Sequence, residues 1–165
     1  EFESVTTSQD MISALNAVSV DEIKVTECVL LPDDAKNSMS VVSASDYIIT
    51  FEEKASEAEK QHLLESVQDF MAQNEIVILK KTKKSERQEN IKPGIMTCEV
   101  RNDAIYMLLS TGSEYNLKPE LVMQALYAYA GTEYDQFHYH IHRLETYMDS
   151  PAGDIIPLYM AGSLF

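Results

Sequence analysis

The amino-acid sequence predicts an α+β fold, a ferredoxin-like sandwich with an inserted basic hairpin, from three observations. Two helical patterns lie between segments rich in β-forming residues, which gives the order β-α-β, a basic arm and then β-β-α-β from Tyr47 onward. The cationic residues are concentrated in that arm, Lys80–Lys92. A partial β-α-β pattern comes first, so we predict this unit over residues 1–46, the ferredoxin-like domain over 47–149 and a tail over 150–165.

The first part of the chain alternates between strand and helix patterns. Phe2–Val5 alternates polar and apolar residues and predicts an edge strand, and residues 7–15 have N-cap chemistry followed by apolar residues on one helical face. Glu22–Leu31 predicts the next strand, which Pro32 ends. Ala35–Ala44 is small and serine-rich, and it fits either a short helix or an irregular segment.

The predicted ferredoxin-like domain begins with the β-rich segment Tyr47–Phe51. Ser56 and Glu59 have the spacing of a capping box, in which hydroxyl and carboxylate each satisfy an exposed amide at the start of a helix. An apolar stripe of about five turns follows, and Glu75–Leu79 predicts a strand before the arm. The stripe consists of Leu63, Leu64, Val67, Phe70 and Met71.

The second half of the domain follows the arm. Gly94–Val100 and Ala104–Ser110 predict two strands joined by a tight turn. Pro119 fits the first turn of a helix, and Gly131 fits the position just after its end. Phe137–Tyr147 predicts the last strand.

The charge of this chain is unevenly distributed. The 165 residues carry a formal net charge of −14, of which residues 1–79 contribute −12. A polyanion would therefore be repelled by most of the surface and attracted to the arm. The arm fits a phosphate-contacting element, a solvated hairpin tip or a site that docks an acidic partner, and it has no interleaved aromatic residues for base stacking. Its cations are Lys80, Lys81, Lys83, Lys84, Arg87 and Lys92.

Composition also bounds the environment of the protein. No apolar run approaches the roughly 20 residues of a membrane span. Cys28 and Cys98 lie far apart in strand-like segments, which favours buried thiols in a reducing compartment over a disulfide. We therefore expect a cytoplasmic protein with no membrane partner and no cofactor, and the oligomeric state stays open.

Two further segments have residue types that bind ligands. The loop before Pro119 combines a glycine, a hydroxyl, an amide and an ammonium group ahead of a helix, which fits an anion site or an ordinary turn with an N-cap, and Glu114 opposes an anion. His138, His140 and His142 alternate on one strand face, which fits a metal site or a polar surface, and we expect the polar surface. The loop residues are Gly112, Ser113, Asn116 and Lys118.

Several segments together resemble one bacterial family. They are Leu15-Asn16-Ala17, Ile23-Lys24-Val25, Ala35-Lys36-Asn37-Ser38-Met39, Ala44-Ser45-Asp46-Tyr47, Lys80-Lys81-Thr82-Lys83-Lys84, Ile91-Lys92-Pro93, Gly112 to Pro119 and Ile141-His142-Arg143. The chain resembles the C-terminal portion of the radical-SAM-linked protein family of unknown function, whose members lie beside, or are fused to, B12-binding radical SAM proteins. Members usually begin with Ser-His-Leu-Asp and Gln-Gly-Phe-Asn-Pro-His-Pro motifs, which this sequence lacks, so we expect a fragment cut from a longer protein.

The sequence contains no catalytic set that we can name. It has no Walker loop, no Gly-x-Ser-x-Gly elbow and no Cys-x-x-x-Cys-x-x-Cys triad, so this fragment is not itself a radical SAM catalyst. Three hypotheses remain. The first is an accessory or substrate-positioning domain that works with a radical SAM enzyme, and the second is an RNA-binding or RNA-modification subunit that uses the arm. The third is an enzyme whose site lies mainly in a missing N-terminal part and is completed by His142 and Arg143.

Overall fold

The structure is a computed structural model that describes residues 6–81, 86–113 and 115–162. Dense internal packing divides the chain into two units, residues 1–42 with 147–165 and residues 43–146. The helices are α1 (Ser8–Val18), α2 (Ser38–Val41), α3 (Glu57–Ala72) and α4 (Pro119–Ala130), and the strands are β1 (Val42–Phe51), β2 (Val77–Lys81), β3 (Glu86–Asn90), β4 (Ile95–Arg101), β5 (Ala104–Ser110), β6 (Tyr139–Asp149) and β7 (Ile155–Pro157). Short 3₁₀ turns cover Lys92–Gly94 and Leu158–Ala161.

The first unit confirms one of its predicted elements and corrects another. Helix α1 forms, and the Thr7 hydroxyl caps it by accepting a hydrogen bond from the Asp10 amide. The predicted strand over Glu22–Leu31 is wrong, because this segment is irregular except for a single bridge residue at its end. The Asn16 side chain bonds both the amide and the carbonyl of Val25, at 2.7 and 2.9 Å, so one side chain satisfies backbone groups that a neighbouring strand would otherwise bond. The predicted strand at residues 2–5 lies outside the described residues.

The second unit holds the predicted ferredoxin-like arrangement. The five-stranded sheet has the order β4-β5-β1-β6-β7, and β7 pairs with Tyr147–Asp149 at the end of β6. Within the unit, the order β4-β5-β1-β6 with helices α3 and α4 as the connections is the split β-α-β pattern of ferredoxin-like domains. Strands β2 and β3 pair only with each other and form the inserted hairpin between α3 and β4.

Local chemistry explains the ends of these elements. Ser56 caps α3 by accepting from the Glu59 amide, as its spacing predicts. Gly131 follows α4 with a left-handed φ of 68°, which a glycine adopts without strain. Asn102 and Asp103 both have positive φ, and together they form the two-residue turn that joins β4 to β5.

One apolar core holds the second unit together. Helix α3 packs against α4 and β4, and both helices share the core with the same sheet face. Strand register places Ile49 opposite Ile105 on that face, while Asp46 and Tyr106 lie on the other face, where the tyrosine hydroxyl donates to the carboxylate at 3.1 Å. Each fully buried large side chain contributes about 1.5–3 kcal/mol to the folded state. These side chains include Tyr127, Phe70, Ile49, Leu63, Ile91, Ile105, Met107 and Leu126.

Candidate functional site

In the basic arm, the two described cations of the hairpin strands, Lys80 and Arg87, share one carboxylate. Lys80 lies opposite Arg87 in the β2–β3 register, and Glu89, which is opposite Ile78, is its diagonal neighbour two positions away on the same face. The Glu89 carboxylate accepts from Lys80 Nζ at 3.2 Å and from Arg87 Nη2 at 3.0 Å. Burial alone would raise the pKa of Glu89, but the hydrogen bonds and positive charges of Lys80 and Arg87 outweigh burial and lower it. These two cations are therefore held by the protein itself rather than presented to solvent as isolated charges.

Another cation of the arm, Lys92, is held by the end of helix α3. Lys92 lies in the 3₁₀ turn after β3, and its Nζ donates to the Met71 carbonyl in the last turn of α3. A cation at this position satisfies a carbonyl that has no partner within the helix and faces the negative end of the helix dipole. Lys83 and Lys84, like the side chain of Lys81, lie outside what the structure describes.

The loop from Gly112 to Lys118 meets the hairpin through Tyr115. Burial raises the pKa of the Tyr115 hydroxyl, and the charge of Glu89 and a hydrogen bond to it raise this pKa further. The Tyr115 ring also lies against Gly94, where an added Cβ would be 2.5 Å from Cε1 of that ring. The structure therefore brings the predicted arm and the predicted loop together at Glu89.

The polar residues of the loop do not form an enclosed anion site. The side chains of Ser113, Asn116 and Lys118 are exposed, and Lys118 precedes α4 without a side-chain capping hydrogen bond. The Leu117 amide already donates to the Ser110 carbonyl at 3.0 Å. Thus the joining of loop and hairpin depends on Tyr115, which was not among the predicted site residues.

The three alternating histidines have different surroundings. His138 lies just before β6 between two carboxylates, and His140 Nδ1 lies 3.5 Å from Glu52 Oε1. His142 and Arg143 are exposed on β6. Within residues 6–81, 86–113 and 115–162, no group of three or more histidine, cysteine or acidic side chains is arranged to hold a metal ion.

His138 belongs to a cluster that sequence patterns did not reveal. Glu59 Oε1 accepts from the Tyr127 hydroxyl at 3.1 Å and lies 2.9 Å from His138 Nδ1, while His138 Nε2 is 3.6 Å from Asp135 Oδ2. The hydrogen bond from Glu59 raises the pKa of His138, and the negative charges of Glu59 and Asp135 add to this. The folded environment therefore favours the protonated imidazole, whose Nε2 faces the Asp135 carboxylate.

Tyrosine rings surround this cluster. The rings of Tyr127 and Tyr134 meet edge to face at 5.5 Å, and the hydroxyls of Tyr134 and Tyr139 lie 2.8 Å apart. Burial raises the pKa of Tyr127, and its hydrogen bond to Glu59 raises it further, so the phenol stays protonated and acts as a donor. Sequence analysis did single out Glu59, but only as part of a capping box. That spacing predicted a partner at the start of α3 rather than Tyr127 of α4 and His138.

The cysteines are both free thiols. Cys98 is buried, as expected, and burial raises the pKa of its thiol to about 12. Cys28 is only half-buried, and its thiol lies 3.5 Å from the Met11 sulfur. Among the helices in the described part of the chain, none has the length and apolar character needed to cross a membrane.

The fold and the surfaces above define an α+β domain with an inserted hairpin that contacts a neighbouring loop. The chain belongs to the family described as "Uncharacterized protein conserved in bacteria (DUF2344)", whose model matches residues 1–119. That description names neither a reaction nor a partner. No curated protein and no solved structure matches the chain.

Proposed function

We propose that this chain is an accessory domain that docks onto a partner protein through the outer face of the β2–β3 hairpin. The single observation that supports this is the exposure of Val77 and Leu79, at 50% and 54%. They alternate on β2 with Ile78 and Lys80, so they lie on the face opposite the Lys80–Glu89 pair. An exposed apolar pair on the face away from the paired charges suits contact with a protein better than contact with phosphates.

The partner we propose is a B12-binding radical SAM enzyme, as the family resemblance implies. In this role the domain would position the enzyme or its substrate and would contribute no catalytic group of its own. The loop meets the hairpin through Tyr115 at Glu89, on the face opposite Val77 and Leu79, so this contact leaves the two apolar side chains uncovered.

Co-purification tests this proposal. The chain is co-expressed with a B12-binding radical SAM protein, and the amount of that protein retained is compared with the amount retained by a Val77→Asp, Leu79→Asp variant. We expect retention of the partner by the unchanged protein and loss by the variant. Leu144→Asp is the matched control, because Leu144 is 49% exposed on β6, away from the hairpin strands. Equal retention by all three proteins contradicts the proposed docking face.

RNA binding remains an alternative proposal, and the cations that would serve it best are Lys83 and Lys84. Salt-dependent retention of the full-length protein on RNA, lost on Lys83→Glu with Lys84→Glu, would support it. The second alternative is an enzyme whose active site is completed by another segment of the protein. The pair Glu59 and His138 supports this alternative better than the pair His142 and Arg143. Glu59 at Nδ1 and Asp135 near Nε2 both favour the protonated imidazole, the form that acts as a general acid.

A further inference from the structure

A groove of about 710 Å³ runs between α3 and β4 in the second unit. Its volume lies in the range of roughly 300–1,000 Å³ that is typical of binding pockets. Apolar side chains from both elements line it, and Val100 among them is 43% exposed while Leu64, Val67 and Cys98 are buried beneath the groove. These side chains are Leu64, Val67, Met71, Cys98 and Val100.

One wall of the groove is the edge of a sheet. In the strand order, β4 is terminal and β5 is its neighbour. A register shift between Ile95 and Thr97 marks one end of this edge, and the turn at Asn102 marks the other. Between them, Thr97–Arg101 keeps regular pairing with β5. The outer backbone groups of a terminal strand can pair with an added strand.

The polar part of the lining is acidic. Glu65 and Asp103 contribute carboxylates, while Gln61 and Gln68 contribute amides, and no lysine or arginine is among the described residues that line the groove. A third carboxylate, that of Glu99, is already paired with the Arg101 guanidinium at 2.6 Å. The net charge of −14 adds an attractive field for cationic ligands. A basic occupant is therefore favoured over an acidic one.

We propose that this groove binds an extended, basic and apolar peptide segment of a partner protein. The main chain of the segment would pair with β4, its alternate apolar side chains would enter the groove, and its lysine or arginine side chains would meet Glu65 and Asp103. This site is separate from the Val77–Leu79 face, so it does not depend on the function proposed for the hairpin. It gives the domain a second contact with a different chemistry.

A labelled peptide tests the proposal by fluorescence anisotropy. The probe is an octapeptide of alternating valine and lysine, and we expect it to bind the unchanged chain saturably. Glu65→Gln with Asp103→Asn should weaken binding about tenfold, because two charge pairs are lost. Asparagine suits the positive φ of Asp103, so the turn is kept. The matched control, Glu75→Gln with Glu133→Gln, removes two exposed carboxylates that do not line the groove and should change affinity little.

Two further measurements separate strand pairing from simple charge attraction. A peptide with N-methyl groups at alternate positions keeps its charge but cannot pair with β4, so it should bind much more weakly. In a Cys28→Ser, Val100→Cys background, the unmethylated peptide should slow the reaction of the thiol at position 100 with a thiol reagent, because this position lines the groove and Val100 is 43% exposed.

Several outcomes would overturn the proposal. Equal binding of both peptides, or equal weakening by both double variants, would show attraction to the acidic surface in general. If the chain forms a dimer and Glu65→Gln disrupts that dimer, the occupant of the groove is a second copy of the chain rather than a partner peptide. The Val77→Asp, Leu79→Asp variant should bind the peptide as well as the unchanged chain does, so failure of the hairpin proposal is distinguishable from failure of this one.

Discussion

His138 Nδ1 lies 2.9 Å from Glu59 Oε1, although 79 residues separate the two in sequence. Glu59 lies in the first turn of α3 and His138 just before β6, so this contact connects the start of a helix to the start of a strand. Tyr127 of α4 donates to the same carboxylate oxygen. Three elements of the second unit therefore meet at one oxygen atom.

This contact predicts a pH-dependent contribution to stability. Because the pKa of His138 is raised in the folded state, its contribution is fully present below the ordinary histidine pKa of about 6.5 and is lost as pH rises through the folded pKa. The unchanged chain should unfold at a higher urea concentration than His138→Gln, and this difference in the urea midpoint should be larger at pH 5.5 than at pH 9. His140→Gln is the control, since His140 is 73% exposed, and it should show little pH dependence. A difference that grows with pH would contradict the assignment.

The hydroxyl of Tyr127 should contribute to stability through Glu59. Tyr127→Phe removes a donor from a carboxylate whose side chain is 15% exposed, so we expect a loss of about 1–2 kcal/mol in the free energy of unfolding. Chemical denaturation measures this loss. Tyr129→Phe is the matched control on the same helix, because Tyr129 is 43% exposed, and its change should stay within about 0.5 kcal/mol. If both substitutions lower the free energy of unfolding equally, the Tyr127–Glu59 hydrogen bond makes no specific contribution to stability.

The packing of Tyr115 on Gly94 can be tested with a double-mutant cycle. Gly94→Ala places a Cβ 2.5 Å from Tyr115 Cε1 and 3.1 Å from Leu117 Cδ2, so we expect destabilisation of about 1–2 kcal/mol. Tyr115→Ala removes the closer contact, so Gly94→Ala should cost less in that background. The free energies of unfolding of the four proteins give the coupling. Additive effects would show that the loop and the 3₁₀ turn after β3 do not meet at this point.

Glu89 should suppress nucleic-acid binding by the arm. Glu89→Gln frees Lys80 and Arg87 from their shared carboxylate, so affinity for polyuridylate at low salt should rise, and each new phosphate contact should steepen the salt dependence by about 0.7. Glu133→Gln is the control, because it removes one negative charge from the loop after α4 and so measures the effect of net charge alone on affinity. An identical gain in both variants would show that only net charge matters.

The sequence predicted the parts of the fold that depend on neighbouring residues. Ser56, Gly131 and the Asn102–Asp103 turn act through their own backbone, so their residue types were informative. Strand β1 extends back to Val42, beyond its predicted start at Tyr47, because small and polar residues there are buried by distant partners. Asp46, for example, accepts from the Glu145 amide at 2.8 Å.

The candidate surfaces were predictable only in part for the same reason. A run of lysines marks the arm in any sequence, but the pairing of Lys80 and Arg87 with Glu89 depends on strand register. The strand predicted over Glu22–Leu31 failed because Asn16 bonds the Val25 backbone, a contact that hydrophobic alternation does not encode. Glu59 had the correct capping spacing, yet its carboxylate bonds Tyr127 of α4 and His138 just before β6, which no local pattern specifies.

The hairpin enters and leaves the core at two buried residues, Ile76 and Ile91, and the Ile91 amide donates to the Ile76 carbonyl at 2.8 Å. That hydrogen bond closes the base of the insertion independently of what lies beyond it. The segment between these isoleucines is therefore a natural graft point, at which a loop of different length or sequence could be exchanged while the main sheet keeps its register. In evolutionary terms, relatives could acquire new binding partners at this position without having to rebuild the domain that carries it.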